Sequence, residues 1–385
     1  MIFYYCLIIS MQLGSAVFLL VLFNKYKNYQ ENFPENHPTL NQYPGLSVLI
    51  PIKGPVEHLE ASLGAILKQT YPGTIEYVLA FQDHNDPSFT HAQALVKKYS
   101  PNAQVKWLQG LAFRGFNPKN SNLSYAFEEA AHPWVFTLDA DTICHENHLK
   151  ECMDLTGANE VKFVTSVTIH EQGQNLWAMF EGIGTNLEMN LYFFSHYFGK
   201  QKPVPINGAA VLFSKKLMKD IGGYPRLVNE LAEDATMMKL FPQAGGEGSL
   251  SPHFVRVIQR AQSWKGLFQR YVRWLMVVRC YMAPLFIIAP FMWWGFWNLL
   301  IGVLFHSSPL ITLGALLLFI RLILTLKVQT LVGVPKEDLM KAMTIIIYDL
   351  VMPIFWFTAI FKKKLVWAGV PLQVLREGNL IKGKP

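Results

Sequence analysis

Residues 136–141 read FTLDAD, an apolar run that ends on two carboxylates, Asp139 and Asp141, separated by one alanine. Acids this close in a dry site repel, and both stay ionised only where a cation or water offsets their charge. Paired hard oxygens suit Mg²⁺ or Mn²⁺, ions that commonly hold nucleotide phosphates. The same triplet also serves as a solvated turn or a helix cap, where Asp is favoured. Other stretches carry comparable chemistry: QDHNDP (Gln82–Pro87), NPKNSNL (Asn117–Leu123), LAED (Leu231–Asp234) and RYVRW (Arg270–Trp274). Arg270 and Arg273 lie three apart, so a helix would place both guanidinium forks on one face, suited to a pyrophosphate or an acceptor. Trp274 can stack on a sugar ring or sit at a membrane boundary. Cys144, His148 and Cys152 fall at i, i+4 and i+8, which would line one helix face, but no CxxC pair accompanies them.

The elements that must position these residues alternate between strand and helix. Short apolar runs at Leu46–Ile52, Ile75–Phe81, Val105–Leu108, Trp134–Leu138 and Val161–Val167 alternate with helical periods such as Glu57–Gln69 and Ser88–Tyr99. That alternation predicts a parallel sheet with helices on both faces. Ligands of such sheets sit at the carboxyl ends of the strands, where Asp83, Asp139 and Asp141 all fall.

The chain has 385 residues, 51% of them hydrophobic, with a formal net charge of +7. The apolar residues gather at the ends. Ile2–Phe23 is an uncharged stretch of spanning length, and Ala283–Lys362 is almost continuously hydrophobic. Lys25 and Lys27 follow the first stretch instead of preceding it, which predicts a retained anchor with the soluble middle on the cytoplasmic side. Lys362, Lys363 and Lys364 flank an apolar segment, so the basic excess points to lipid headgroups and not to nucleic acid. Four scattered cysteines imply no disulfide framework.

Beyond residue 283 three apolar stretches are expected: Ala283–Phe305, Leu310–Leu331 and Met343–Phe361. Pro284 and Pro290 predict that the first is kinked, interfacial or re-entrant. Arg321 and Asp349 each lie within an apolar stretch, where charges usually pair. The two helices, joined by a short cytoplasmic loop, are expected to hold them as an ion pair.

The motifs QDHNDP, NPKNSNL, LDAD, LAED and RYVRW occur in the order seen in ceramide glucosyltransferases, and the chain resembles that family from about Leu46 to Trp274. The resemblance implies a membrane-bound inverting enzyme of the GT-A type: an α/β fold, a Rossmann-like mixed sheet with helices on both faces. It implies transfer of glucose from a UDP-glucose donor to the hydroxyl of a lipid acceptor, most readily ceramide. Other readings keep the architecture but use UDP-N-acetylglucosamine or UDP-galactose, or a hopanoid, sterol or diacylglycerol acceptor; polysaccharide synthases share the acids and the terminal RW. A non-catalytic scaffold is a further reading.

By the same resemblance, Asp141, with Asp139, would hold Mg²⁺ or Mn²⁺ against the diphosphate, and Asp83 would contact the uridine. Lys119, Asn120 and Asn122 would contact the nucleotide or its phosphates, unless Asn117-Pro118 merely starts a helix. Asp234 would be the general base, with Glu233 beside it as an alternative partner for a helix dipole. Arg270, Arg273 and Trp274 complete the implied site. The aromatic segment Gln174–Lys202 would shape the acceptor side. The expected organisation is an anchor (1–24), a linker (25–45), a cytoplasmic catalytic domain (46–262), an amphipathic interfacial helix with RxxRW (263–282), a hydrophobic membrane region (283–362) and a basic tail (363–385).

Overall fold

A computed structural model describes residues 2–33, 39–157, 160–171, 173–334, 343–367 and 370–383. The chain divides into two compact units, one built from residues 1–28, 169–198 and 259–362 and the other from residues 29–168, 199–258 and 363–385. The strands in chain order are β1 (Leu46–Ile52), β2 (Ile75–Phe81), β3 (Gln104–Leu108), β4 (Trp134–Leu138), β5 (Thr142–Ile143), β6 (Val161–Thr165), β7 (Thr168–Glu171), β8 (Ala210–Ser214), β9 (Glu247–Leu250), β10 (Val255–Ile258), β11 (Lys364–Trp367), β12 (Val370–Val374) and β13 (Leu380–Lys382).

The second unit is built on a seven-stranded sheet in the order β3-β2-β1-β4-β8-β6-β9. Alternate residues of one strand face opposite ways, and both ways lead to apolar cover. Val48, Ile50 and Ile52 join Leu63 and Ile66 of the helix Leu59–Leu67 and Leu95 of the helix Ser88–Tyr99. Leu49 joins Leu123 and Phe127 of the helix Pro118–Glu129 and Met237 and Phe241 of the helix Glu233–Gln243. The near-continuous apolar run LSVLIPI follows from burial on both faces.

The strands β1, β2, β3 and β4 run parallel, as the alternating pattern predicts. β8 does not: it pairs antiparallel with both β4 and β6, which makes the sheet mixed. The chain enters β8 from the carboxyl end of β4, where the Asp139 backbone N–H donates to the Ala209 carbonyl at 2.9 Å. That entry brings the loop before β8 to the edge where the acids lie.

Residues 364–382, expected within a basic tail, instead carry a three-stranded antiparallel sheet, β11-β12-β13. Burial alternates along KLVW and VPLQV, and the strands pair once a turn with Gly378 at φ 91° brings β13 back. The linker expectation also changes at its start, because the first helix runs on to Glu31. Residues 34–38 of that linker lie outside the described residues.

The first unit holds the apolar helices. Ile9–Glu31, Ser308–Leu331 and Thr344–Phe361 are long and apolar enough to cross a membrane. Ala283–Met292 and Trp294–Leu304 form a pair bent by 57°, in keeping with the kink expected from Pro284 and Pro290. Gly302 and Gly314 let the helices Trp294–Leu304 and Ser308–Leu331 approach closely; a Cβ at Gly314 would stand 2.7 Å from the Leu299 side chain. The residues 335–342, on which the expected connecting loop falls, lie outside the described residues.

Arg321 and Asp349 do pair, with the Arg321 Nε donating at 3.1 and 3.2 Å to the two carboxylate oxygens. Sequence reasoning missed the third charge. Arg321 Nη2 also donates to Glu188 Oε1 at 2.7 Å, and the Tyr348 hydroxyl donates to Glu188 Oε2 at 2.7 Å. Glu188 sits in a wide π-turn, Thr185–Met189, that interrupts the helical stretch 176–198. One guanidinium therefore serves two carboxylates. Arg321→Asp alone should lower stability by about 3 kcal/mol or more, because it leaves three acids together. The swap Arg321→Asp with Asp349→Arg should recover only part of it, and adding Glu188→Gln should recover more. Thermal unfolding in detergent reads this, and full recovery by the double swap would show that Glu188 contributes nothing.

Candidate active site

The second unit assembles most of the acids around one lysine. Lys119 lies in the first turn of the helix Pro118–Glu129, which Asn117 caps by accepting the Asn120 N–H at 3.1 Å and which begins with proline. Its ammonium lies 2.6 Å from Asp139 Oδ1 and 3.0 Å from Glu233 Oε1, and it donates to the Gly208 carbonyl at 2.8 Å. Three donors thus meet three acceptors from three separate segments. Burial by itself would lower the lysine's proton affinity, but the Asp139 and Glu233 charges outweigh it and hold the ammonium strongly protonated.

Asp234 is on the same helix start as Glu233. Its Oδ2 accepts the Gly208 N–H at 3.1 Å and its Oδ1 accepts the Ala235 N–H at 2.7 Å. Burial first, then the neighbouring Glu233 charge, pushes its carboxyl up to about 6, although Lys119 and the two N–H donors oppose the rise. Such a group is mostly ionised at pH 7 yet still basic enough to take a proton. Gly208 couples the two centres, its carbonyl holding Lys119 and its N–H holding Asp234. A Cβ there would stand 2.9 Å from Glu233 Oε1 and 3.2 Å from Asp234 Oδ2, so glycine is what allows this close approach.

Asp139 is half-buried and Asp141 exposed. Burial and the Asp141 and Glu233 charges raise the Asp139 carboxyl, with Lys119 pulling the other way. Of the pair, Asp139 is committed to Lys119 through Oδ1, and Asp141 is the exposed carboxylate. An exposed all-oxygen donor at a strand end fits a hard divalent cation. Asp83 is exposed just past the end of β2. β2 and β4 are separated by β1, which puts their carboxyl ends about 10 Å apart on one edge.

Asn122 differs from the expected contact residue. It is buried, and its amide is directed at the Ile52 and Ala80 carbonyls at 3.5 and 3.4 Å, between the ends of β1 and β2. Asn120 is likewise buried and donates to the Leu227 carbonyl at 2.9 Å. Asn117 donates to the Glu230 carbonyl at 2.9 Å. Asn117 and Asn120 thus stitch the NPKNSNL turn to the segment leading into LAED. From the other direction the carboxyl-terminal sheet holds the same segment: the Leu231 N–H donates to the Gly378 carbonyl at 2.9 Å and the Leu380 N–H to the Asn229 carbonyl at 2.7 Å. Asp86, also missed in the sequence, ties the QDHNDP turn to the end of β1 by accepting the Gly54 and Ser88 N–H groups at 2.6 and 2.9 Å.

In the first unit, Arg270, Arg273 and Trp274 lie on the helix Trp264–Tyr281, started by Ser263, which accepts the Gly266 N–H. Its buried residues Leu267, Tyr271, Val272, Leu275 and Met276 recur along one face, as an amphipathic helix requires. Arg270 is bound to the buried Glu181 at 2.6 Å. Tyr271 stacks edge-on against Phe180 at 5.4 Å and lies 5.2 Å from Trp274. Glu181 gave no sequence signal, because it stands alone in an aromatic stretch.

A mixed sheet with acids at its strand ends defines a GT-A glycosyltransferase fold. The mannosyltransferase PcManGT from Pyrobaculum calidifontis, solved in complex with GDP-Man and Mn2+, has the same fold, with a TM-score of 0.51 at 14% identity over 92% of this chain and 96% of that one. The chain belongs to glycosyl transferase family 21, whose model matches residues 7–380. It is 26% identical over 259 residues to ceramide glucosyltransferase 1 of Caenorhabditis elegans, covering 66% of this chain and 54% of that protein. It is 28% identical over 145 residues to the ceramide glucosyltransferase of Komagataella phaffii, covering 36% and 28% respectively. The chain thus spans about half or less of the length of these relatives.

Replacing Lys119 with methionine would leave Asp139 and Glu233 without their shared cation. Both acids would then titrate higher in the folded protein than in the unfolded chain, so the folded form would bind more protons and lose stability as pH rises. Lys119→Met should cost about 2–3 kcal/mol at pH 8 and clearly less at pH 5. Equal losses at both pH values in thermal unfolding would count against an electrostatic role.

Proposed function

We propose that this protein transfers glucose from UDP-glucose to the primary hydroxyl of ceramide, with inversion to a β-linked glycolipid. The observation that carries this reading is the Asp234 carboxylate, half-buried beside Glu233 and raised to about 6, on the LAED motif. The similarity to ceramide glucosyltransferases supports the choice of sugar and lipid. In this reading Asp234 accepts the proton of the acceptor hydroxyl as that oxygen attacks the anomeric carbon from the face opposite UDP. Lys119 offsets the charges of Glu233 and Asp139 through its ion pairs with both, which leaves Asp234 as the acid of the cluster able to cycle its proton.

Asp141, with the second oxygen of Asp139, would hold the divalent cation, Mg²⁺ or Mn²⁺, which supplies charge neutralisation for the departing diphosphate. Asp83 contacts the uridine. Arg273 and Trp274 are assigned to donor pyrophosphate and sugar by their motif, and Arg270, bound to Glu181, fixes the helix that carries them. Asn122 acts by holding the strand ends beneath the nucleotide. The apolar helices support a membrane location, and in this reading the catalytic residues face the cytoplasm.

The test is UDP release by purified protein in detergent with Mn²⁺ or Mg²⁺, comparing UDP-glucose, UDP-galactose and UDP-N-acetylglucosamine with and without ceramide. Ceramide-dependent release with UDP-glucose as best donor is expected. Asp234→Asn should lower kcat by about 10²–10⁴-fold, and Asp141→Ala should abolish the response to metal. Because Asp234 must be ionised to act, kcat/KM should fall about tenfold per pH unit below pH 6 and level off above it. A flat profile between pH 5 and 7 would remove Asp234 from the role of base.

A further inference from the structure

The Cys144, His148 and Cys152 spacing does not form a metal site. The helix begins only at His148, so Cys144 is not on it, and His148 is buried with Nε2 at 2.9 Å from Ser166 Oγ. A different set of ligands converges beside it. The antiparallel register of β5 and β10 pairs Ile143 with Arg256 and Thr142 with Val257. Continued outward, that register sets His145 against residue 254, next to His253. His145 and His253 stack with ring centroids 4.4 Å apart, and Glu151, in the first turn of the helix His148–Asp154, reaches within 3.3 Å of His253 Nε2. One ligand atom from each of His145, Glu151 and His253 lies within 4.8 Å of the other two.

We propose that His145, Glu151 and His253 form a second metal site, selective for a borderline cation of the zinc class and distinct from the oxygen-only Asp139–Asp141 pair. Two imidazoles and one carboxylate with an open fourth position make a common tetrahedral zinc set, whereas Mg²⁺ favours oxygens. With bonds of about 2.1 Å the ligand atoms of such a shell stand roughly 3.4 Å apart. The carboxylate of Glu151 already lies near that distance from His253, and His145, exposed and accepting an Asn147 N–H at 3.3 Å, supplies the remaining movement.

Two further features fit a cation. Glu151 Oε2 is buried, and its 3.3 Å approach to His253 Nε2 lacks hydrogen-bond geometry, so it accepts no hydrogen bond among the described residues. The other ring nitrogen of His253, Nδ1, is 2.8 Å from the Gln30 side-chain amide, the outer partner that fixes which imidazole nitrogen faces a metal. Turned over, that amide presents its oxygen to Nδ1–H and leaves Nε2 to bind. The site would clamp β5 and β10 directly after Asp141 in the chain.

Full-length protein stripped by chelator and titrated with Co²⁺ tests the assignment. One equivalent should bind with the intense visible absorption of tetrahedral nitrogen and oxygen ligation, and Zn²⁺ should displace it. His253→Ala and the milder Glu151→Gln should weaken binding at least tenfold, while Asp141→Ala leaves it unchanged. Zn²⁺ should also raise the melting temperature of the stripped wild type but not of His145→Ala, an exposed position whose loss leaves the fold intact. Absence of tetrahedral Co²⁺ binding, or its loss in Asp141→Ala with retention in His253→Ala, would overturn the proposal.

Discussion

One ammonium organises the acidic edge of the sheet. Lys119 comes from a helix start, Asp139 from the end of β4, Glu233 from a second helix start and Gly208 from the loop entering β8, and their meeting fixes four segments relative to one another. Without that cation, Asp139, Asp141, Glu233 and Asp234 would be a cluster of acids whose mutual repulsion favours protonation. With it, two of the four are neutralised internally, Asp141 remains exposed, and Asp234 keeps a raised proton affinity. Four carboxylates close in space thereby acquire different chemical characters from their surroundings.

The supports around that cluster grip backbone groups of the supported segment, which explains why they leave little mark on its composition. The segment before LAED is gripped by Asn117 and Asn120 from one direction and by the carboxyl-terminal sheet from the other. A segment tied at both edges holds its acids in one geometry without any change of residue type inside the motif. Gly208 contributes by lacking a side chain: its peptide group serves two charged partners at once because nothing projects between it and the acids.

The helical unit solves a different electrostatic problem. Arg321, Asp349 and Glu188 are charges among apolar side chains, where an unpaired ion is costly and a satisfied group of them fixes which helix faces meet. A bifurcated Nε–H donation to Asp349 and a second nitrogen for Glu188 use the planar guanidinium in a way lysine could not. The Tyr348 hydroxyl supplies the donor that the second Glu188 oxygen needs.

The sequence by itself determined the local features. LSVLIPI had to be a strand covered on both faces, NPKNSN had to start a helix, Pro284 and Pro290 had to break an apolar stretch, and the DAD acids had to fall at the carboxyl edge of a parallel sheet. Periodicity, capping and the rigidity of proline act over a few residues and are legible there. Arg321 with Asp349 was also readable, because charges within apolar stretches have few other places to go.

Tertiary structure alone decided the partners. That Lys119 binds Asp139 and Glu233, that Asn122 is turned inward to the strand ends, that β8 runs backwards to deliver Gly208, and that Glu188 and Glu181 meet arginines all depend on segments tens to more than a hundred residues apart. The basic residues of 364–382 read as a tail because the strands among them are short and gain their partners only through pairing. An ionisable group's role is set by which charges and donors come within a few ångströms, and that distance is a property of the fold.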